Sequence, residues 1–555
     1  MLSCNAWIEG WGTDPLPNHH FASSVMRSFV GGIGILLCAL IVPGAAVEAK
    51  TLRIALSDDA TTLDPHVADL IANNRLLHNI YDGLVTRDKD FKIAPALAVS
   101  WSQPDAKTWR FKLRPNVKIH DGSPFTADDV VFSLNRVLHP LSALRASVLG
   151  VASARRVDDL TVDFIMAEPN AVLLNHLVSF RIMSKAWSTK NGSAVPQNYK
   201  DKEETFAARN TNGTGPFRLV SRQPDVRTVL AEHRDWWGRA PSAYASEMGD
   251  LTQVEWMPIK STATRIAALL SGTVDLVLDP PVQDRDRIKN TPGFKLQLGS
   301  EPRVFFLAVD VHRDELLYSS IKGKNPFKDL RVRQAMALAV DVDLLVKKVN
   351  RGYGRPTALI VGKEVQGYAA ELDRRSPADV SRARKLMAEA GYAQGFEVTL
   401  DCLNQVPFSE FCQGILPMLA QIGIRTKLNL VSFTNIFPKL QKFDSSFYIM
   451  GYGAQPMDAL APMQSLLRSV DEKRSDVNNW GRYNNRQLDA LFVKIGREQN
   501  MAARDALIRE ALMVVRDDLP VIPLIQTVHA WAMRSNVDAP FVPNSLPYFY
   551  RFSVK

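Results

Sequence analysis

From Ser376 to Leu430 the apolar residues switch repeatedly between helical and strand spacing, and this restricts the fold more than any other feature of the chain. Val380, Ala383, Met387 and Ala390 fall at helical spacing. Before them, Ser376-Pro377-Ala378-Asp379 reads as a cap with proline at the first helical position, and Gly391 stops the run. Val398, Leu400 and Cys402 then alternate with Glu397, Thr399 and Asp401, the spacing of a half-buried strand. A second helix carries Cys412, Ile415, Leu419 and Ile422 on its apolar face, with Pro417 expected to kink it. It ends at Gly423 and feeds the strand Ile424, Thr426, Leu428, Leu430. A chain that alternates in this way layers helices on a sheet, so the class is α/β.

The same signals recur earlier. Leu52, Ile54 and Leu56 alternate with polar or small residues, as do Trp109, Phe111 and Leu113, and Val117 and Ile119 resume strand spacing after Pro115-Asn116. Thr126 and Asp129 form a capping-box pair ahead of Val130, Leu134, Val137 and Leu138. After Asp329, the residues Val332, Ala335, Met336, Ala339 and Val340 make one helical stripe. At 555 residues the chain holds three or four domain-sized units. It shows no tandem repeat and no low-complexity linker, so these units join through ordered crossings.

Residues 29–47 carry no charge and follow Arg27. An apolar stretch around Ile33 to Val42, a break at Pro43-Gly44 and the Val47-Glu48-Ala49 triplet before Lys50 match a secretory signal peptide better than a retained membrane anchor. The segment 26–49 is therefore expected to be removed. Met26-Arg27-Ser28 reads as a natural start, which sets residues 1–25 apart as an upstream extension. Leu37 precedes Cys38, where a lipid-anchoring signal wants a small residue, so no lipid anchor is expected. Export places the chain in the periplasm, where Cys402 and Cys412 meet oxidising conditions. They stay two buried thiols or, from inward positions on a strand and the helix after it, form a disulfide.

The formal charge is +9, but no three Lys or Arg residues are adjacent, so no basic stripe for nucleic acid exists. Beyond residue 49 no two histidines lie within four residues, and G-x-S-x-G, the phosphate-loop motif and C-x-x-C are all absent. No metal site, catalytic residue or cofactor is expected.

The run from Phe111 to Val130, centred on Arg114-Pro115-Asn116-Val117-Lys118-Ile119-His120-Asp121-Gly122, resembles the signature of the family 5 extracellular solute-binding proteins, receptors of ABC importers. The resemblance extends in order through Asn79 to Val85, Gly213-Thr214-Gly215-Pro216-Phe217, Asp235-Trp236-Trp237-Gly238, Gly272 to Leu276, Asn325-Pro326-Phe327, Ala388 to Tyr392 and Leu519 to Pro523. It implies a two-lobed periplasmic binding protein of type II, similar to cluster C, that closes on its ligand. One lobe would comprise 50–82, 209–300 and 518–555, the second lobe 301–517, and an inserted domain 83–208. The implied partners are a small-molecule solute and an ABC permease and ATPase complex in the inner membrane, served by a monomer.

By the same resemblance the ligand contacts map to Ala68 and Asp69 after the first strand, and to Tyr452, Gly453, Ala454 and Gln455 near the end of the second lobe. Phe433 matches an aromatic pocket wall, and Arg303 is a candidate for an anionic group. Gln455 departs from the family pattern: peptide receptors place an aspartate there for the α-ammonium, and glutamine keeps the oxygen without the charge. His120 is expected to serve the fold, Trp236 and Trp237 to pack the lobe, and Asp458 to cap a helix. The reading is a receptor for a small polar, peptide or peptide-like solute. The alternatives are a sugar, opine or metallophore receptor, or, in another class, a periplasmic enzyme or chaperone reusing the fold.

Overall fold

The computed structural model describes residues 50–198, 204–240, 244–454, 456–470 and 478–555. The signal segment 26–49, the extension 1–25 and Gln455 lie outside the described residues. No helix among the described residues is long and apolar enough to cross a membrane.

The main strands are β1 (Thr51–Leu56), β2 (Ala98–Asp105), β3 (Thr108–Leu113), β4 (Val151–Asp158), β5 (Thr161–Met166), β6 (Phe217–Gln223), β7 (Arg227–Glu232), β8 (Gln253–Pro258), β9 (Leu276–Leu278), β10 (Phe294–Val309), β11 (Phe396–Leu403), β12 (Ile424–Val431), β13 (Phe447–Gly453) and β14 (Val521–Arg534). One large sheet runs in the order β12-β11-β13-β10-β14-β9-β1-β8-β7-β6. Within it β1 is parallel to β8 and β9, and β11 is parallel to β12 and β13. The two long strands β10 and β14 pair antiparallel and join these two parallel groups. A separate antiparallel sheet, β2-β3-β5-β4, has its own core of Phe111, Val130, Leu134, Phe164 and Phe180.

Burial explains why the strand patterns differ. From Val304 to Val309 strand β10 is apolar at every position because both faces are covered. Phe305, Leu307 and Val309 enter one core with Met336, Leu400 and Ile415, while Phe306 and Ala308 enter another with Ile436, Leu491 and Leu512. Strand β14 is divided along its length: Ile522, Leu524 and Ile525 pack with the β10–β13 group, and Trp531 and Met533 pack with Leu52, Leu76 and Trp256 beside β1.

The capping box at Thr126 and Asp129 is present, and the helix Ala127–Leu138 buries Val130, Leu134 and Val137. Two expectations are corrected. The helix after Ser376 begins at Val380, capped by Asp379 and not by Ser376 with Pro377 inside. The Asp379 amide is held by the Leu338 carbonyl at 2.9 Å and Arg375 donates to the carbonyls of Pro523 and Ala337, which fastens the approach to this helix to neighbouring elements and delays its start. Val117 and Ile119 do not form a ladder, since the turn between them and Phe125 allows only a single bridge, Lys118 with Pro124. Cys402 on β11 and Cys412 on the following helix are joined as a disulfide with Cα atoms 6.5 Å apart.

Candidate functional site

In open α/β sheets, ligands sit beyond the carboxyl ends of parallel strands, where loops and backbone groups are free to reach them. The register of β10 and β14 brings two such edges to one place. On one side β9 pairs antiparallel with β14, Leu278 opposite Trp531, so its carboxyl end points along β14 towards His529. On the other side β13 pairs antiparallel with β10, Gly453 opposite Arg303, so its carboxyl end points along β10 towards Pro302. Both edges therefore meet where β10 crosses β14 around residues 300–304 and 526–529.

The crossing is irregular. Ser300 opposes Val528 and Val304 opposes Gln526, which leaves Glu301, Pro302 and Arg303 facing Thr527 alone. Such a bulge releases side chains from the pleat and redirects them. Here it releases a carboxylate and a guanidinium. Glu301 Oε1 accepts from Arg303 Nε at 2.7 Å and lies 3.1 Å from His529 Nε2, and its Oε2 accepts from Thr527 Oγ1 at 2.5 Å. His529 Nδ1 lies 3.1 Å from Asp279 Oδ1, and Asp279, directly after β9, accepts from Arg75 at 2.5 and 3.1 Å. Arg75 is buried on the helix Ile71–Leu77 and also donates to the Ser545 hydroxyl and carbonyl.

Both ring nitrogens of His529 face carboxylate oxygens, and only the imidazolium donates from both. Burial works against that charge, yet Glu301 and Asp279 outweigh it and carry the His529 pKa up to about 9. The acids answer in kind. Burial would raise Asp279, but Arg75 and His529 hold it far below the usual carboxylate range; burial would raise Glu301, but His529 and Arg303 hold it low. Charges alternate from Arg75 through Asp279, His529 and Glu301 to Arg303.

Of the expected contact residues, three meet at this crossing. Arg303, Gly453 and Ala454 come together: Arg303 lies beside the backbone of Gly453, and the Ala454 amide donates to the Pro302 carbonyl at 3.2 Å. Tyr452 is half-buried at the end of β13, where burial pushes its phenol up. Phe433 follows the carboxyl end of β12 and is 62% exposed, its ring edge-on to Phe437. Ala68 is buried, and Asp69 is exposed and bonds within its own segment, to Asn74. Beside them Leu70 and Ile71 are exposed apolar residues that the sequence reading missed. It also missed Arg75, Asp279, Glu301, Thr527 and His529. A signal for the last three existed, because polar residues interrupt the otherwise apolar strands Val304–Val309 and Val521–Met533 or extend them.

The residues read as structural have the following contacts. His120 Nε2 lies 3.0 Å from the Gly215 carbonyl. Trp236 and Trp237 pack with Tyr244, and both indole N–H groups donate to Asp82. Asp458 is not the cap expected of it: the N-cap of the helix Leu460–Leu467 is Ala459, and Asp458, one residue earlier, accepts from the Leu460 amide at 3.0 Å and takes a bidentate pair from buried Arg504, which no local pattern announced.

With this geometry in view, comparison with known proteins is decisive. The profile described as bacterial extracellular solute-binding proteins, family 5 Middle, matches residues 92–474. The chain belongs to this family. This solute-binding protein is 25% identical over 516 residues to a glutathione-binding protein of Shigella flexneri, covering 91% of this chain and 94% of that one. It is 28% identical over 491 residues to heme-binding protein A of Haemophilus influenzae, covering 82% and 83%. Among solved structures, it matches a periplasmic binding protein of Helicobacter pylori in complex with the peptide STSA, with TM-score 0.73 and 22% identity over 91% of this chain and 98% of that chain. It also matches the binding protein for agropinic acid from A. tumefaciens R10, with TM-score 0.71 and 25% identity over 91% and 99%. The fold is that of the two-lobed periplasmic binding proteins, and family 5 members work with ABC permease and ATPase partners.

Proposed function

We propose that this protein is a periplasmic receptor, without catalysis of its own, that captures a small peptide-like solute between two lobes and delivers it to an ABC importer. The observation that carries this reading is the convergence of two strand edges on one crossing that offers opposite charges, Asp279 and Arg303, with exposed apolar Leu70 and Ile71 at the start of the helix that brings Arg75 to Asp279. A solute that combines charged groups with an apolar part fits that mixture. Relatives named for glutathione, a tetrapeptide and an opine support it.

In this reading residues 50–82 and 209–300 belong to one lobe, 301–517 to the second, and 83–208 to a domain inserted into the first. Strands β10 and β14 run through both lobes, so the tail from 518 onward begins in the core of the second lobe and joins the first beyond Thr527. A solute that touches both lobes gains contacts only when they are closed, and shifts the equilibrium by that difference.

The test is a thermal-shift screen of peptides, oligosaccharides, opines and metal chelates, followed by X-ray scattering with the best hit at saturation. The expected result is a rise in Tm with a peptide-like compound and a smaller radius of gyration. A hit confined to sugars or chelates, or no compaction at saturation, would overturn the reading.

A further inference from the structure

Away from the strand crossing, the turn at 118–122 meets the edge strands β6 and β7 around a cavity of about 400 Å³, lined among others by Lys118, His120, Arg218 and His233. That volume falls within the range of small-molecule sites. The segment 213–215 passes beside it. A Cβ on Gly213 or Gly215 would run into the backbone of Ile80, so the glycines let this segment lie flush against that chain, which holds its carbonyls in place. The Gly215 carbonyl meets two rings, His120 Nε2 at 3.0 Å and His233 Nδ1 at 3.2 Å. A carbonyl only accepts, so both of these nitrogens carry their protons. His120 is then complete, because its Nδ1 accepts from the Gly213 amide at 3.4 Å.

His233 is not complete. The residue is 8% exposed and lines the cavity, yet its Nε2 has no hydrogen-bond partner among the described residues. Burial lowers the pKa of this ring, helped by Arg218 and opposed by Asp235 and Asp82, which leaves Nε2 as a bare lone pair at neutral pH. The charges around the cavity are unequal. Lys118 and Arg218 are exposed, and neither side chain has a partner among the described residues. Of the acids, Glu232 is paired with Arg239 and lies 4.0 Å from Arg234, and Asp235 is exposed. The set therefore suits an anion that also brings a donor for a neutral nitrogen. Carboxylates and sulfate carry no such proton near neutral pH, whereas phosphate and its monoesters, with a second pKa of about 6, keep one in mildly acidic solution. Arginine and lysine are the ordinary partners of their charged oxygens.

We propose that this cavity is a second ligand site, for a phosphate group, in which Lys118 and Arg218 take the charged oxygens and His233 Nε2 accepts from the P–OH. It is separate from the solute cleft and stands independently of the receptor reading.

The experiment is titration calorimetry of the full chain in mildly acidic buffer with inorganic phosphate, glycerol phosphate and sulfate, in the wild type and in Arg218→Gln and His233→Gln. At least one of the two phosphates is expected to saturate a single site and to bind about tenfold more tightly than sulfate, the worth of one hydrogen bond to a charged group. The tighter of the two identifies the source, free phosphate or a monoester. Arg218→Gln weakens binding by about tenfold, and His233→Gln abolishes the preference for phosphate over sulfate. Arg218 is exposed, so its variant stays folded even where the His233 variant does not. No saturable binding of either phosphate, sulfate bound as tightly as phosphate, or phosphate affinity that is unchanged in Arg218→Gln overturns the inference.

Discussion

Two arginine–carboxylate pairs of the molecule have opposite characters. Arg504 and Asp458 are 1% and 2% exposed, and every nitrogen of the guanidinium is engaged: Nη1 and Nη2 with Asp458, Nε with the Ile495 carbonyl. Arg303 and Glu301 are 37% and 12% exposed, and among the described residues one nitrogen alone of the guanidinium is engaged. The first pair is saturated by its own chain and fixes the approach of two helices. The second keeps donors in reserve. Residue type does not separate the two pairs; the number of guanidinium donors each leaves without a partner does.

Asp458→Ala is expected to give the largest effect, since it strands a buried guanidinium: a loss of about 3–5 kcal/mol in denaturant unfolding, with solute affinity unchanged in the protein that remains folded. Alkaline pH acts next, and on the other pair. His529 has its pKa raised by folding, so its contribution is complete below about 6.5, the ordinary value, and is lost as pH rises through about 9. Unfolding free energies of wild type and His529→Gln should converge over that window by up to about 3 kcal/mol. The disulfide is expected to contribute about 2–3 kcal/mol through its short loop; the protein unfolded without reductant should titrate no thiol at Cys402 or Cys412, and the doubly Ser-substituted protein should melt earlier. Arg303→Gln should cost less than about 1 kcal/mol. A large loss of stability there would erase the contrast between the two pairs. Gln455→Asp should leave stability unchanged while improving affinity for solutes with a free α-ammonium, as calorimetry with Met-Leu and its N-acetyl form would show.

The elements themselves were legible because their signals are local. Helical stripes such as Val332 to Val340 and the Thr126 box depend on neighbours three or four residues away. Family resemblance then placed Arg303 and Gly453, which the structure sets opposite one another. The support behind Arg303 was not legible, because it depends on registers between distant strands: His529 meets Asp279 across 250 positions. The same holds at Asp458, which the local pattern offered as a helix cap: Ala459 takes that position, and the partner 46 residues away was not legible. The helix at Val380 started late for a similar reason, a tertiary hydrogen bond from Asp379 to Leu338 overriding a good local start.

Strand β14 is near the end of the chain, yet it lies in the middle of the large sheet, between β10 and β9. During synthesis, neither half of that sheet can be completed until this strand has emerged. The order in which the ribosome delivers the parts is thus uncoupled from the order in which they lock. Until then β10 and β9 each keep an unpaired edge, and the two groups of strands are joined only once residues 521–534 have been made.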